Sequence, residues 1–298
     1  MKAIILLTKL KRNFEVDKYI AEKIQKINLF FSQHNLDSCV IGISGGIDSA
    51  VTYKLLLAAA KEPNSPLKKI LGLLMPIYSN GTTNQTIATE RGLKVVELSA
   101  TSTYYVHDLS STLDQYCATL TKDFLPNSWS LGQLASIVRT PNLYFHAALL
   151  QQQGFKSIVV GTTNRDEGAY IGFFGKASDA MVDLQPIADA HKSEIIQIAK
   201  KLDVPEEIIA AIPAGDVWDG RVDEEMIGAP YWFVEMYQLM KDFNISIDES
   251  LKEQDRHLFK LYAAAIEACH KKNAHKYQVG NPAHFIDVQQ RITPQGWN

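Results

Sequence analysis

The stretch Val40-Ile41-Gly42-Ile43-Ser44-Gly45-Gly46-Ile47-Asp48-Ser49-Ala50 decides the fold. The apolar run at residues 39–43 is typical of a buried strand. Apolar side chains at helical spacing begin after Ser49, so this part of the chain favours a helix. The sequence therefore predicts a strand, a glycine-rich turn and a helix in direct succession.

The glycine-rich turn has the features of an anion site. Free N–H groups and the helix dipole both favour phosphate at a helix N-terminus. Gly45 and Gly46 let the backbone approach phosphate oxygens without a Cβ in the way. Ser44 and Ser49 add hydroxyl donors. Asp48 is an acid among these groups, which indicates that Mg²⁺ lies between its carboxylate and the phosphates.

This turn is not a Walker A loop, because no Gly-Lys-Ser/Thr follows it. Its Ser-Gly-Gly-Ile-Asp-Ser run, residues 44–49, resembles the pyrophosphate-binding loop of the N-type ATP pyrophosphatases, which cleave ATP between the α and β phosphates. The alternative is an ordinary glycine-rich turn. The loop residues that the resemblance implies as ATP contacts are Gly42, Ile43, Ser44, Gly45, Gly46, Ile47, Asp48 and Ser49.

Composition narrows the class of protein. The chain has 298 residues, a formal net charge of −3 and a sequence pI near 6.2, so it lacks the basic surface typical of nucleic-acid binding. Its three cysteines form no Cys-x-x-Cys pair, which fits a reducing compartment. No apolar run approaches the length of a membrane span. We therefore expect a soluble cytoplasmic protein that binds neither nucleic acid nor membrane.

Predicted strands alternate with helical segments along the chain. This alternation predicts an α/β fold with a doubly wound parallel sheet, in which ligands bind outside the carboxyl ends of the strands. A loop at residues 79–84 follows the second strand and reaches the same edge as the glycine-rich turn. The four predicted strands are residues 39–43, 70–75, 94–98 and 157–160.

We predict a single domain over residues 1–298, because no repeat or low-complexity linker interrupts the chain. An N-terminal helical extension covers about residues 1–36, where apolar side chains recur at helical spacing within 14–34. Further helices are predicted at 103–116, at 143–150 and from Lys192 onward. Residues 124–129 read as a loop.

A second set of motifs follows the fourth strand. It begins with Gly161-Thr162-Thr163-Asn164-Arg165-Asp166-Glu167 and continues with Gly172-x-Phe174-x-Lys176-x-x-Asp179-x-x-x-Asp183-x-x-Pro186. Lys192, an Asp-Glu-x-x-x-Gly-x-x-Tyr segment at 223–231 and His275-Lys276 come later. The order and spacing resemble the ammonia-dependent NAD⁺ synthetases over most of the chain, about residues 15–285.

The resemblance implies an amide ligase that uses ATP and Mg²⁺. Such an enzyme converts deamido-NAD⁺ and ammonia into NAD⁺, AMP and pyrophosphate through an acyl-adenylate. By the same resemblance Asp48 and Glu167 hold Mg²⁺, while Thr162 and Lys192 contact ATP. Asp179 positions ammonia or the nicotinate end, so the implied catalytic residues are Asp48, Lys192 and Asp179. The implied acceptor contacts are Arg139, Lys176, Asp183, His275 and Lys276.

A homodimer is also implied, with the early amphipathic helix and the aromatic helix after Pro230 as candidate contact surfaces. The aromatic residues of that second helix, Tyr231 among them, otherwise read as helix core. Lys192 could be a solvated lysine, but a cation at a helix N-terminus is unfavourable without an anion beside it. His191 reads as incidental.

Several positions depart from the family pattern. Residues 133–139 stand where the family begins a helix with Asn-x-x-x-Arg-x-Arg; Arg139 matches the second arginine, and Ile137 replaces the first. Leu74, Ala214 and Tyr277 also replace polar family residues. Two alternatives therefore stay open: an adenylating ligase for another carboxylate, such as nicotinate mononucleotide, and a nucleotide-binding protein without catalysis.

Overall fold

A computed structural model describes residues 1–78, 84–214, 221–246, 252–277 and 284–285. Its strands form one parallel sheet in the order β3-β2-β1-β4-β5-β6. The strands are β1 Ser38–Gly42, β2 Lys69–Leu74, β3 Ser102–Val106, β4 Ser157–Val160, β5 Leu184–Gln185 and β6 His284–Phe285.

Helices separate these strands along the chain, and a short 3₁₀ turn, Ala274–Tyr277, follows the last helix. The helices are α1 Lys2–Arg12, α2 Val16–Gln33, α3 Ile47–Lys61, α4 Asn84–Leu93, α5 Ser110–Ala118, α6 Ser128–Gln152, α7 Arg165–Gly168, α8 Lys192–Lys201, α9 Glu206–Ile209, α10 Asp223–Ile227, α11 Tyr231–Asp242 and α12 Glu253–Asn273.

The strand order reverses between β1 and β4. β1 pairs with β2 on one side and with β4 on the other, so that Val40 lies between Leu71 and Val159. In a doubly wound sheet this reversal opens a crevice at the carboxyl ends of the two central strands. The prediction of a doubly wound α/β sheet is confirmed, and the loops after β1 and β4 share this crevice.

Both faces of the sheet are buried, because apolar stripes of helices cover each of them. On one face Phe31 of α2, Leu55 of α3 and Ile195 of α8 belong to one core cluster. On the other face Leu113 of α5 and Ala147 of α6 belong to a second cluster. A third cluster joins α1, α10, α11 and α12 beside the sheet. The central strands are therefore held rigidly beneath the crevice.

The prediction of a third strand at residues 94–98 is wrong. This segment is irregular: Val95 is buried, whereas Leu98 is exposed. The third strand is β3, which begins at Ser102 and takes up the first four residues of the predicted helix 103–116. β3 is an edge strand whose Tyr105 and Val106 are exposed, so it lacks the apolar run typical of a buried strand. Its β-branched and aromatic residues nevertheless favour extended backbone.

The segment 133–139 does not begin a helix. α6 begins at Ser128, where the Asn127 side chain accepts the backbone N–H of Ser130, and it continues through Pro141 to Gln152. The helix predicted at 143–150 is the second half of α6, and the predicted loop at 124–129 ends at Asn127. Of the predicted loop 79–84, residues 79–83 lie outside the described residues, and Asn84 begins α4.

Other predicted elements agree closely with the structure. β1 and β2 each lie one residue before their predicted bounds, and β4 has the predicted bounds. α3 begins at Ile47, earlier than predicted, so Asp48 lies in its first turn. α2 matches the helix predicted within 14–34, while the single-domain organisation stays a prediction. Among the described helices, none is both long and apolar enough to cross a membrane.

Candidate active site

The loop after β1 is held together by its own serines. Ser49 Oγ accepts the backbone N–H of Ser44 at 3.2 Å and donates to the carbonyl of Gly46 at 3.0 Å. Ser44 Oγ lies 3.1 Å from Ser49 Oγ and accepts the backbone N–H of Gly46 at 3.2 Å. Both hydroxyls, expected as donors to phosphate, thus shape the loop at the N-terminus of α3.

Gly45 is required by the shape of this loop and by its contact with α4. Its φ of +77° lies in the left-handed region, which favours glycine. A Cβ at this position would lie 1.9 Å from the carbonyl oxygen of Ala88, in the middle of α4. The backbone of the loop therefore packs directly against α4, which leaves no room for a Cβ at Gly45. The sequence analysis explained this glycine by the approach of phosphate instead.

Three charged side chains meet at the crevice. Lys192 Nζ, at the start of α8, donates to Asp48 Oδ2 at 2.5 Å and to Glu167 Oε1 at 3.4 Å. Asn164, the residue before α7, donates from Nδ2 to Asp48 Oδ1 at 3.0 Å. Its Oδ1 accepts the backbone N–H of Glu167 at 3.1 Å. The predicted residues Asp48, Glu167 and Lys192 are thus brought together from α3, α7 and α8.

Burial and charge act against each other in this cluster. Burial lowers the pKa of Lys192, but the carboxylates of Asp48 and Glu167 more than compensate and raise it above its usual range. The pKa of Glu167 is raised to about 8, first by burial and then by the charges of Asp48 and Asp223, although Lys192 acts to lower it. Lys192 is only 7% exposed, so the interpretation of a solvated lysine is wrong. Carboxylates supply the anions that this helix N-terminus requires.

Two further residues complete the cluster, and sequence reasoning did not select them. Tyr231, at the start of α11, has its hydroxyl 3.0 Å from Glu167 Oε1 and 3.1 Å from Asp223 Oδ2. Lys192 Nζ lies 5.0 Å from the centre of the Tyr231 ring, within the range of a cation–π contact. The Asp-Glu-x-x-x-Gly-x-x-Tyr motif carried the signal, but the aromatic run around Tyr231 read as core.

The donor set suits Mg²⁺. The oxygens of Asp48 and Glu167 face one ammonium group, so a position between them already accepts a cation. Within the described ranges no group of three or more His, Cys, Asp or Glu residues forms a complete metal site. Mg²⁺ in nucleotide enzymes takes one or two carboxylates together with phosphate oxygens and water. Asp48 and Glu167 fit that pattern.

The acceptor-side residues form a second group around Asp179. Asp179 is exposed and accepts the backbone N–H of Gly175 at 3.0 Å. The pKa of Arg139 is lowered to about 10, because burial lowers it more than the charge of Asp179 raises it. Arg139 Nε donates to the carbonyl of Met75, just after β2, at 3.0 Å. This contact brings Arg139 to the carboxyl edge of the sheet.

The two late basic residues differ in role. Lys276 Nζ donates to the carbonyls of Gly172 and Phe174 at 2.9 and 2.7 Å. Burial lowers the pKa of Lys276 and Asp179 raises it, which connects Lys276 to the same group. His275 is exposed, and its Nδ1 contacts the carbonyl of Lys272 at 3.0 Å. Lys276 thus holds the backbone of residues 172–174 through two hydrogen bonds.

The remaining predicted residues divide between structural contacts and open positions. Asp183 Oδ2 accepts the backbone N–H of Val159 at 2.7 Å, and its Oδ1 accepts the Tyr144 hydroxyl at 3.3 Å, so this carboxylate joins β4 to the start of β5. Lys176 is exposed, and Thr162 is half-buried directly after β4. The acceptor role of Asp183 stays a prediction.

The positions that depart from the family pattern are also visible. Ile137 is 43% exposed on α6, whereas Leu74 is buried at the end of β2. The Tyr277 hydroxyl donates to the carbonyl of Gly168 at 2.7 Å and anchors the chain below α7. Ala214 is exposed and borders residues 215–220, which lie outside the described residues. An accessible, uncharged side chain, Ile137, thus stands where the family pattern has an arginine.

Comparisons with known proteins agree with these motifs. A family model described as NAD synthase matches residues 19–280. The NH₃-dependent NAD⁺ synthetase of Pyrococcus horikoshii is 32% identical over 271 residues, which cover 89% of this chain and 95% of the relative. The corresponding synthetase of Thermococcus sibiricus is 30% identical over 268 residues, covering 89% and 96%.

Solved structures are similar in fold. NMN synthetase from Francisella tularensis has a TM-score of 0.70 at 23% identity and covers 90% of this chain and 98% of its own. NH₃-dependent NAD synthetase from Campylobacter jejuni, solved with nitrate, has a TM-score of 0.65 at 23% identity and covers 90% and 99%. At this identity the likeness bears on the fold alone.

Proposed function

Because this chain belongs to the NAD synthase family, we propose that it is a ligase that joins ammonia to the carboxylate of deamido-NAD⁺. In the same reaction ATP is cleaved to AMP and pyrophosphate. The observation that carries the proposal is the meeting of Asp48, Glu167 and Lys192 beside the glycine-rich loop. This cluster lies at the strand reversal, where doubly wound sheets bind nucleotides.

The reaction proceeds in two balanced steps. A carboxylate oxygen of the acceptor attacks the α-phosphorus of ATP; the bond to the β-phosphate breaks, and pyrophosphate leaves. Ammonia then attacks the acyl carbon, AMP departs with the bonding electrons, and one proton is released as the amide forms. Each step concentrates negative charge on phosphate oxygens, so fixed donors and cations lower both barriers.

On the ATP side, the loop of residues 44–49 contributes backbone N–H groups at the N-terminus of α3. Lys192 contributes an ammonium held at a fixed point by burial. Asp48 and Glu167 would hold Mg²⁺, which when bound neutralises charge on the phosphates. Thr162, directly after β4, stays our proposal for a further ATP contact.

On the acceptor side, Arg139, Lys176 and Lys276 provide positive charge around Asp179. This arrangement supports recognition of an anionic dinucleotide, with Asp179 available to orient ammonia. Lys176 is exposed and therefore accessible to a ligand phosphate. Asp183 and His275 are further proposed acceptor contacts, and their side chains also contact other parts of the fold.

One observation favours a second acceptor. Ile137 is exposed at the position where family resemblance calls for an arginine that binds deamido-NAD⁺. One lost charge-assisted contact weakens binding by about 1.5–3 kcal/mol. A smaller carboxylate such as nicotinate mononucleotide needs fewer contacts and is the alternative substrate. A protein without catalysis is disfavoured, because it would have no need for a buried lysine paired with two carboxylates at one point.

A product assay decides between these functions. Purified protein is supplied with ATP, Mg²⁺ and ammonia, and separately with nicotinate, nicotinate mononucleotide or deamido-NAD⁺. We expect AMP and NAD⁺ in equal amounts from deamido-NAD⁺. Amidation of the mononucleotide alone would establish the alternative, and ATP binding without any amide would establish the inactive protein. Mg²⁺ withheld with a chelator is the control.

We also propose a homodimer in the cytoplasm. Of the two candidate surfaces, α11 is mainly core: its Phe233 is fully buried, and among its apolar side chains only Trp232 is substantially exposed. α2 leaves Leu29 exposed and is the better candidate. Light scattering at micromolar concentration tests the assembly, and an active monomer would refute it.

A further inference from the structure

Two buried residues connect the reactive side chains of α7 and α8. Asp166 precedes Glu167 and His191 precedes Lys192, and both are inaccessible to solvent. Asp166 Oδ1 lies 2.6 Å from His191 Nδ1, and Asp166 Oδ2 accepts the backbone N–H of Lys192 at 2.7 Å. One carboxylate therefore binds both residues at the start of α8.

The Asp166 carboxylate, from α7, caps the N-terminus of α8. The Lys192 N–H is among the first donors of α8, which have no partner within the helix. Asp166 satisfies that donor and, through the histidine ring, fixes the residue before it. The start of α8 cannot shift relative to α7 without breaking these bonds.

The histidine ring is neutral and oriented. Burial lowers the pKa of His191 well below its usual range, so we assign the single ring proton to Nδ1, which faces the carboxylate. Its Nε2 is buried without a hydrogen-bond partner among the described residues. A buried nitrogen without a hydrogen-bond partner costs folding free energy. The fold tolerates this cost while keeping the bond to Asp166.

The N-terminal extension also helps to hold the start of α8 in place. Glu194 Oε2 accepts the backbone N–H of His191 at 2.9 Å. The Arg12 guanidinium, at the end of α1, donates to both oxygens of Glu194 at 2.7 and 2.9 Å. His191 is thus held from two sides, by Asp166 through its ring and by Glu194 through its backbone.

We propose that Asp166 and His191 are positioning residues, which hold the Lys192 ammonium at the distance from Glu167 and Asp48 that the phosphates of ATP require. This inference rests on the proposed function for its kinetic readout. Displacement of a reactive group by about 1 Å can reduce a rate by about 10²-fold. Loss of the His191 bond should therefore lower kcat more than it raises KM for ATP.

His191→Phe tests the proposal, since it keeps a ring and removes the donor. We expect kcat for pyrophosphate release to fall by roughly 10- to 100-fold. His191→Asn, whose amide nitrogen can occupy the Nδ1 position, should restore most of this loss. If His191→Phe does not fold, His191→Leu replaces it. Tyr53→Phe is the matched control, because it removes an equally buried bond between the Tyr53 hydroxyl of α3 and Ser102 Oγ of the edge strand β3 at 2.7 Å. It should lower the unfolding midpoint and leave kcat unchanged.

A double-mutant cycle separates positioning from general destabilisation. In a Lys192→Ala background, His191→Phe should cost less than about threefold in kcat, because the group it positions is gone. An equal cost in both backgrounds would overturn the inference. Calorimetric titration with ATP gives a second readout without turnover: His191→Phe should weaken ATP binding only while Lys192 is present. If wild-type protein makes no amide, the proposed function fails, and the titration still decides the positioning role.

Discussion

At the scale of single residues, some side chains of the candidate site could be predicted from the sequence and others could not. Asp48 could be selected, because a carboxylate beside a phosphate site requires a cation between them. Lys192 could be selected, because a cation at a helix start is unfavourable without an anion beside it. Tyr231 and His191 could not, since their contacts with Glu167 and Asp166 join segments far apart in the chain. Only the tertiary structure brings such pairs together.

Lys192→Ala should reduce kcat/KM for ATP by roughly 10²-fold or more, the loss of one good charge-assisted contact at the transition state. Steady-state pyrophosphate release measures the effect. Lys54→Ala is the matched control, because its ammonium also pairs with a carboxylate, Glu97 at 2.6 Å, but lies on the far part of α3. A loss no larger than that of the control would remove Lys192 from ATP binding.

Asp48→Asn should abolish adenylation at modest Mg²⁺, because the metal loses a charged ligand beside the phosphates. The asparagine keeps the shape of the side chain and the bond to Asn164, so the loop itself should persist. Pyrophosphate release is measured across a Mg²⁺ titration, with Asp108→Asn, an exposed acid at the start of α5, as control. Near wild-type release at low Mg²⁺ would show that Asp48 does not hold the metal.

At the scale of elements, the strands with continuous apolar runs were predictable and the edge strand was not. β1, β2 and β4 are buried on both faces, so their composition alone indicates strands. β3 is half exposed, and β5 has only two residues, too few for any period to appear. The glycine-rich turn was recognised, but its contact with α4 depends on packing that local sequence does not encode.

Gly45→Ala should displace the loop from α4, since the new Cβ would lie 1.9 Å from the carbonyl oxygen of Ala88. Gly154→Ala is a close control: its φ is +92°, also left-handed, and within the described part of the chain nothing lies within 4 Å of the added Cβ. Both variants should lose about 1–2 kcal/mol of unfolding free energy from backbone strain.

Gly45→Ala should lose more stability than Gly154→Ala, because the steric clash adds to the backbone strain. Of the two variants, only Gly45→Ala should also lose ATP-dependent pyrophosphate release. Urea unfolding and steady-state assays on the two variants separate the common strain from the steric clash. Equal losses in both variants would mean that the loop moves away from α4 without consequence, and the close approach would have no role in the site.

At the scale of the whole molecule, buried charges tie the N-terminal extension to the sheet. Lys23 Nζ lies 2.7 Å from Asp189 Oδ1, and Arg12 pairs with Glu194, so α1 and α2 both contact the segment around α8. The helical pattern of the extension was predictable from its apolar spacing. Its connection to the site was not, because a charged residue on an amphipathic helix normally reads as part of the solvated face.

Glu235 makes this connection sensitive to pH. It lies on α11, is 4% exposed, and accepts the Ser193 hydroxyl at 2.9 Å. Its pKa is raised from 4.5 to about 8, first by burial and then by the charge of Asp166, although Lys9 acts to lower it. The folded state therefore keeps a proton that the unfolded state releases above pH 4.5. Stability from this group is greatest at low pH and falls as the pH rises toward 8.

Glu235→Gln removes the titration and keeps the shape of the side chain. The free energy of unfolding of the variant relative to wild type should rise between pH 5 and pH 8, with a slope of up to about 1.4 kcal/mol per pH unit. Urea unfolding of both proteins at pH 5, 6.5 and 8 measures it, and other titrating groups cancel in the difference. Glu207→Gln, an exposed partner of Lys94, should show no such trend. A difference independent of pH would mean that Glu235 is ionised in the fold and bound to Lys9, and that α1 is held there by a charge pair rather than by a neutral acid.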